Sequence, residues 1–157
     1  MSITNQLQTA DDPYAAIRLD NQICFPLYAC SKELIRQYRP SLDKLNLTYT
    51  QYLVMMVLWE HGSMIEKELG ERVHLASGTL APLLKRMESQ GLVRRKRTPA
   101  DERTLQVDLT PSGEALKEKA LAVPLEMGGC LNITDDEAAF LYKILYKALA
   151  SMENRGL

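Results

Sequence analysis

The sequence predicts a mostly α-helical fold with one small β-hairpin. Most of the chain spaces its apolar residues three or four apart, which is the period of one helix face. One segment differs, because Leu105, Val107 and Leu109 alternate with polar residues, as in a half-buried strand. The chain has 157 residues and contains no apolar run long enough to cross a bilayer, so we expect one globular domain.

The first predicted helix follows a polar segment, residues 1–18, that we expect to be a loosely ordered arm. Apolar residues then recur at helical spacing from Leu19 to about Arg39, where Pro40 should end or bend the helix. Pro26 lies inside this pattern, so it should kink the helix or confine its start to nearby residues.

The middle of the chain predicts three helices in close succession. Thr48 and Ser77 are the expected N-caps of the first and third, since a hydroxyl oxygen accepts a bond from a free backbone N–H. Pro82 is expected in the first turn of the third helix, where its missing N–H costs nothing. The predicted ranges are Thr50 to Glu60, Ile65 to Val73, and Gly78 to Gln90.

A β-hairpin with a basic first strand is predicted next. Arg94 to Arg97 form its basic run, and Thr98 to Glu102 are the expected turn. Another helix follows and is interrupted near Pro124. A capping box of Thr134 with Glu137 then begins the last helix, which is apolar over much of its length.

Charge is distributed unevenly along the chain. From Lys85 to Arg103 there are seven basic and three acidic residues, a charge of +4, whereas the whole chain carries −1 and the rest therefore −5. A local basic patch on an acidic body is typical of a surface that contacts nucleic-acid phosphates.

A helix, a tight turn, a second helix and a basic hairpin together predict a winged helix-turn-helix over residues 48–111. Small residues at the start of the third helix would let it approach base edges in the major groove. Arg103 could enter the adjacent minor groove, with Asp101 restraining its guanidinium. The predicted contacts with double-stranded DNA are Ser77, Gly78, Thr79, Pro82, Lys85, Arg86, Arg95, Lys96, Arg97, Asp101 and Arg103.

Two segments carry a family resemblance that covers nearly the whole chain. The segment SGTLAPLLKRMESQGLVRRKRTPADERTLQVDLTPSGEAL resembles the winged helix of the MarR family, including the D-x-R of its wing. The segment LDNQICFPLYACSKELIRQYRPSLDKLNLTYTQYLVMMVLWE is similar to the organic hydroperoxide resistance regulators within that family.

This resemblance implies a homodimer held by helices at both ends of the chain, residues 19–47 and 112–157, within one domain over 19–157. A two-fold dimer would present two recognition helices to a pseudo-palindromic operator. The resemblance also implies a repressor, while activation stays an alternative.

The resemblance further implies a redox sensor that reacts with organic hydroperoxides. It places the reactive thiol at Cys24, with hydrogen bonds to its sulfur from Tyr38 and Tyr49, and with Tyr28 approaching from the partner subunit. It makes Cys130 a resolving residue that forms an intersubunit disulfide. Cys30 is six positions beyond Cys24 on the helix, and we expect it to be a small buried hydrophobe.

Other function classes remain open at this stage. A MarR-type repressor released by a small phenolic ligand would make Cys24 incidental, and a thiol peroxidase would leave the basic hairpin without a purpose. A redox-insensitive architectural DNA binder is a third alternative. The cysteines and histidines form no metal-ligand pattern, we expect no cofactor, and the polar N-terminus predicts a cytoplasmic protein.

Overall fold

The computed structural model describes residues 12–98 and 101–153, and the chain divides into two compact units, Met1–Glu126 and Met127–Leu157. The first unit contains six α-helices, three strands and two short 3-10 helices, Ala15–Ile17 and Leu19–Asn21, among its described residues. In chain order the α-helices and strands are α1 Cys24–Asp43, α2 Tyr49–His61, β1 Met64–Ile65, α3 Glu66–Arg72, α4 Ser77–Ser89, β2 Val93–Thr98, β3 Asp101–Leu109, α5 Pro111–Ala120 and α6 Ala122–Glu126.

A three-stranded antiparallel sheet is packed beside the helices of this unit. Its strand order is β1-β3-β2, so the longest strand lies in the middle. Val93 pairs with Leu109 and Arg95 with Val107, which turns the apolar residues of both strands toward one face. This mostly helical architecture with a small sheet confirms the predicted fold class.

The core of the first unit is formed by the apolar faces of α2, α3 and α4 against the sheet. Its most completely buried side chains are Val54, Met55, Leu58, Leu69, Leu84, Met87 and Val107, each 0% exposed. Gly113 lets α5 approach the hairpin, because a Cβ there would collide with the carbonyl oxygen of Leu92. Trp59 strengthens this junction by donating its indole N–H to the Gly113 carbonyl over 2.9 Å.

The N-terminal region differs from its prediction in two ways. Ala15–Ile17 form a turn of 3-10 helix with Ala15 buried, so part of the expected loose arm is ordered, while residues 1–11 lie outside the described ones. Helix α1 also continues through Pro40 to Asp43. Pro40 removes one backbone bond, but Leu42 beyond it is only 2% exposed, and burial holds the last turn in place.

Boundaries in the middle of the chain were predicted with mixed success. Thr48 caps α2 as expected, in a capping box with Gln51. The N-cap prediction for Ser77 is wrong, because Ala76 occupies that position and Ser77 is the first helical residue of α4. Pro82 consequently falls in the second turn of α4, where it removes the N–H that would bond to Gly78.

The sheet contains more residues than the predicted hairpin. The short strand β1 was not foreseen, since two residues carry no readable alternation, and it pairs Met64 with Val107. The predicted turn over 98–102 is too long, because Thr98 pairs with Asp101 and both belong to strands. Residues 99 and 100 are outside the described ones.

The second unit contains one long helix, α7, over Asp135–Glu153. Its predicted capping box is confirmed, since Glu137 accepts from the Thr134 backbone N–H over 2.9 Å and Thr134 accepts from the Glu137 N–H. No residue of this helix is buried. Among the described residues, no helix is long and apolar enough to cross a membrane.

Candidate functional site

The first turn of α4 presents the small residues that the sequence predicted for reading DNA. Ser77, Gly78 and Thr79 are all exposed, and a Cβ on Gly78 would have nothing within 4 Å. Within the described part of the chain, no side chain caps this helix end, and the Thr79 N–H donates to the Ala76 carbonyl over 2.8 Å. The N–H groups of Ser77 and Gly78 are therefore the ones open to a ligand. Pro82 and the cations Lys85 and Arg86 are exposed along the same helix.

Helix α4 is fixed from behind by its apolar face. Leu80, Leu84 and Met87 are between 0% and 1% exposed and pack into the core. Because these residues lie opposite the exposed ones, the helix can place its polar side against a DNA groove without losing its packing. The helix-turn-helix arrangement that the sequence predicted is therefore present.

Arg95 was predicted as a DNA contact, but the structure commits its side chain to Glu88. The guanidinium donates to one carboxylate oxygen of Glu88 over 3.0 and 3.1 Å, and the Arg95 backbone N–H donates to the other over 2.8 Å. Bonds from this backbone N–H and then the guanidinium lower the pKa of Glu88. The Arg95 side chain is only 14% exposed, so it joins α4 to the wing instead of facing solvent.

The outer face of the wing carries Arg94 and Lys96, which are both exposed. Lys96 lies 3.3 Å from Asp108 on the neighbouring strand, and this pair contributes to a lowered pKa of Asp108, after the larger effect of the bond from Ser63. Arg97 is exposed as predicted. The predicted pairing of Asp101 with Arg103 involves side chains outside the described ones.

Cys24 is the first residue of α1 and is exposed. Tyr28, one helical turn later, is also exposed and lies on the same face, with the ammonium of Lys32 5.8 Å from its ring centre. Tyr28 is therefore a neighbour of Cys24 in its own chain. This geometry does not favour the expectation that Tyr28 reaches the Cys24 sulfur from a partner subunit.

Tyr38 and Tyr49 are brought together at the other end of α1. Their ring centres are 5.0 Å apart, and Tyr52 joins the cluster with its ring centre 6.3 Å from that of Tyr38. Burial raises the pKa of Tyr49 and of Tyr52, with a further contribution from Tyr38. These phenols consequently keep their protons and can donate hydrogen bonds. Sequence reasoning missed Tyr52, whose helical spacing marked it only as a core residue.

Cys24 and the Tyr38–Tyr49 pair are far apart within one chain. Both Cys24 and Tyr38 belong to α1, and 14 residues of helix separate them by about 21 Å at 1.5 Å per residue. A bond from Tyr38 to the sulfur of the same chain is excluded at that separation. The expected site forms only if these tyrosines come from a second copy, which reverses the expected assignment of the tyrosines to subunits.

The other two cysteines are also exposed. This corrects the expectation for Cys30, which is not buried. Cys130 belongs to the second unit, in the segment before α7, and its backbone N–H donates to the Met127 carbonyl over 3.2 Å. Gly129 beside it has φ 80°, a conformation that glycine adopts without strain.

An exposed recognition helix, a basic wing and a well-packed core behind them define a winged helix-turn-helix transcriptional regulator. Comparisons with known proteins agree. Residues 36–120 match the family model described as "Transcriptional regulator SarA/Rot". The chain is 44% identical over 146 residues to the organic hydroperoxide resistance transcriptional regulator of Bacillus subtilis, covering 93% of this chain and 99% of that protein.

Solved structures of AbfR, a protein of Staphylococcus epidermidis, are similar as well. Reduced AbfR bound to DNA is 34% identical with a TM-score of 0.71, covering 87% of this chain and 94% of that one. Disulfide-formed AbfR is 33% identical with a TM-score of 0.60, covering 93% and 99%. The chain belongs to the MarR family, in the group of organic hydroperoxide resistance regulators. It is a DNA-binding regulator and not an enzyme, which removes the thiol peroxidase alternative.

Proposed function

We propose that this regulator represses its targets in the reduced state and leaves its operator when an organic hydroperoxide oxidises Cys24. The thiolate attacks one peroxide oxygen and the O–O bond breaks, so that Cys24 becomes a sulfenic acid and the hydroperoxide is reduced to the alcohol. The observation that carries the proposal is the exposed thiol of Cys24 in the first turn of α1. The same chain also presents an exposed helix that is suited to reading DNA.

A second copy of the chain would complete the sensor. Tyr38 lies about 21 Å along α1 from the Cys24 of its own chain, and Tyr49 packs against it. An antiparallel arrangement of the two α1 helices would therefore bring each tyrosine pair to the partner's sulfur. Two phenol donors would then hold the thiolate. Tyr28, one turn from Cys24, would line the same site from within the chain.

The terminal helices supply a surface for such a dimer. Phe140 is 67% exposed and Ile144 47%, values that are unusual for large apolar side chains in an isolated protein. Burying them between two copies is favourable at about 25 cal/mol per Å² of apolar surface. A two-fold dimer would place its recognition helices one DNA turn apart, at about 34–36 Å.

We further propose that Cys130 resolves the oxidised sensor. Its thiol would attack the Cys24 sulfenic acid of the partner, forming a disulfide between subunits and releasing water. Cys130 is exposed and follows two glycines, which fits a segment that moves to reach a partner. AbfR, which has been solved in a disulfide form, supports this chemistry in a similar chain.

For DNA, we propose that Ser77, Gly78, Thr79 and Pro82 face the bases while Lys85 and Arg86 hold the backbone. Lys96 and Arg97 of the wing would add phosphate contacts, and Arg103 with Asp101 would enter the minor groove. Arg95 is left out of this set, because Glu88 already holds it.

A gel shift on the protein's own upstream DNA, with cumene hydroperoxide and a parallel thiol-state assay, tests the proposal. The wild-type protein should leave the DNA as Cys24 oxidises, and Cys24→Ser should stay bound at the same dose. Release of Cys24→Ser at the wild-type dose would remove Cys24 from the sensor role. A Cys130→Ser protein that still forms the cross-linked dimer on a non-reducing gel would remove Cys130.

One observation favours the small-ligand alternative as a second candidate. An open groove of about 790 Å³ lies between α1 and the start of α2, with Tyr28, Lys32 and Tyr49 among its lining residues. A phenolic ligand could stack on these rings and release DNA without any thiol chemistry. Release of Cys24→Ser from DNA by such a ligand, with no response to peroxide in the wild-type protein, would establish that candidate.

A further inference from the structure

The side chain of Gln51 connects the tyrosine cluster to the recognition helix. Gln51 is only 1% exposed, which is rare for a polar residue and requires that both ends of its amide find partners. Its Oε1 accepts from the Thr48 backbone N–H over 2.8 Å. Its Nε2 donates to Oε1 of Gln90 over 2.8 Å.

These two bonds determine the orientation of the amide. A backbone N–H can bond only to the oxygen of the Gln51 side chain, so the nitrogen must point the other way, toward Gln90. One side chain therefore closes the N-terminus of α2 and reaches 39 residues along the chain to the end of α4. Gln90 is the C-cap of α4, and its own backbone N–H donates to the Arg86 carbonyl over 3.0 Å.

The N-terminus of α2 is also where the proposed sensor begins. Tyr49 is the first residue of α2, directly after the Thr48 cap, and its ring packs against Tyr38 of α1. Any displacement of Tyr49 moves the capped turn to which Gln51 belongs. The opposite end of Gln51 holds the last turn of α4, a helix of 13 residues whose first turn carries the proposed base contacts.

We propose that the hydrogen bond from Gln51 to Gln90 is a coupling element that transmits the redox state of the sensor to the recognition helix. This inference rests on the proposed redox function and deepens it. Gln51 and Gln90 are positioning residues in this scheme, since neither touches the thiol or the DNA. In this scheme, oxidation displaces Tyr38 and Tyr49, and the capped first turn of α2 moves with Tyr49. The hydrogen bond from Gln51 to Gln90 then shifts the C-terminal end of α4. The helix tilts as a result, and its N-terminal turn leaves the DNA groove.

The matched variants are Gln90→Met and Gln90→Glu. Gln90 itself is exposed, so both variants should fold. Methionine has nearly the same length but offers no strong acceptor, so it removes the bond from Gln51 and leaves the α2 capping box intact. Glutamate keeps an acceptor oxygen for the Gln51 amide and retains the bond.

The measurement is the operator dissociation constant by fluorescence anisotropy, for the reduced protein and after cumene hydroperoxide, with Cys24 oxidation followed by mass spectrometry. Cys24 should oxidise at the wild-type rate in both variants. The ratio of oxidised to reduced dissociation constants should fall about five-fold in Gln90→Met, the equivalent of one neutral hydrogen bond. Gln90→Glu should keep the wild-type ratio, even if its added charge weakens both affinities.

The outcomes separate this inference from the proposed function. A wild-type ratio in Gln90→Met, or an equal fall in Gln90→Glu, overturns the coupling role while peroxide sensing stands. If the wild-type protein does not release DNA on oxidation, the proposed function fails and the coupling role fails with it. Should Gln90→Met unfold, Gln90→Ala removes the same acceptor at this exposed position, lets water reach the Gln51 amide, and should lower the same ratio.

Discussion

The winged head and the terminal helices use apolar residues in opposite ways. In α4 the large apolar residues Leu80, Leu84 and Met87 are at most 1% exposed, and the exposed positions are small or basic. In α7 no residue is buried, and the apolar residues Phe140, Leu141 and Ile144 are 41–67% exposed. Both helices are amphipathic, but only α4 buries its apolar residues.

This contrast indicates which parts of the molecule are complete in a single chain. The head buries its own core, so the apolar face of its recognition helix is packed within a single chain. The apolar residues of α7 form a surface that we propose another chain covers, and the three cysteines, which all lie outside the winged head, are exposed. Reading DNA is built into one subunit, whereas we propose that sensing needs two.

The largest expected effect comes from placing a charge on the exposed face of α7. Ile144→Asp should weaken the proposed dimer by about 3–5 kcal/mol, because an unpaired charge would be buried at the interface. Sedimentation velocity should then show monomers at concentrations where the wild type is dimeric. Lys143→Asp, on the polar side of the helix, is the control and should stay dimeric. Equal behaviour of the two variants would contradict the assignment of this face.

A core deletion in the head should act within one subunit. Leu84→Ala removes a side chain that is 0% exposed and should cost about 2–5 kcal/mol of unfolding free energy. The matched variant is Leu141→Ala, where the same atoms are lost from a site 41% exposed. Urea unfolding should show a loss independent of protein concentration for Leu84→Ala and a concentration-dependent loss for Leu141→Ala.

Arg95 and Lys85 should separate stability from DNA contact. Arg95→Met should lower the unfolding free energy by about 1–2 kcal/mol, through loss of charge-assisted bonds to a partly exposed carboxylate. It should leave the salt dependence of DNA binding almost unchanged. Lys85→Met should do the reverse and reduce the slope of log K against log salt by about 1.8, since each subunit of the proposed dimer loses one phosphate contact. A smaller salt-dependence slope for Arg95→Met would show that Arg95 contacts DNA after all.

The smallest effect is a pH dependence within the head. Arg95 holds the pKa of Glu88 below its ordinary value of 4.5. A carboxylate with a lowered folded-state pKa contributes stability above about pH 4.5 and loses it as pH falls through the folded value. Urea midpoints between pH 7 and pH 3 should therefore fall less in Glu88→Gln than in the wild type. Adding Arg95→Met to Glu88→Gln should change this pH dependence no further.

Periodicity and capping chemistry predicted most of the elements. Thr48 and Thr134 cap helices as expected, because a hydroxyl followed three residues later by Gln or Glu is a purely local signal. The cap at Ser77 was predicted wrongly, and of the two alternatives for Pro40 the end of the helix is not the one observed, for the opposite reason. Whether a serine caps a helix or begins it, and whether a helix continues past a proline, depends on what the next turn packs against.

The sequence predicted which residues belong to the candidate site better than it predicted the hydrogen bonds between them. Exposed small residues on α4 and an exposed Cys24 agree with the sequence prediction. Neither the capture of Arg95 by Glu88 nor the bond from Gln51 to Gln90 could be read from the chain. Both join residues on different elements, and no local pattern distinguishes a free arginine from a paired one.

Local pattern was therefore sufficient for the fold class and the helix-turn-helix, since each depends on residues close together in the chain. The fold was required to show that Arg95 supports the wing, that Tyr38 packs against Tyr49, and that the apolar face of α7 stays exposed. Those facts depend on distances between segments that are far apart in the sequence, and these distances are set only when the chain folds.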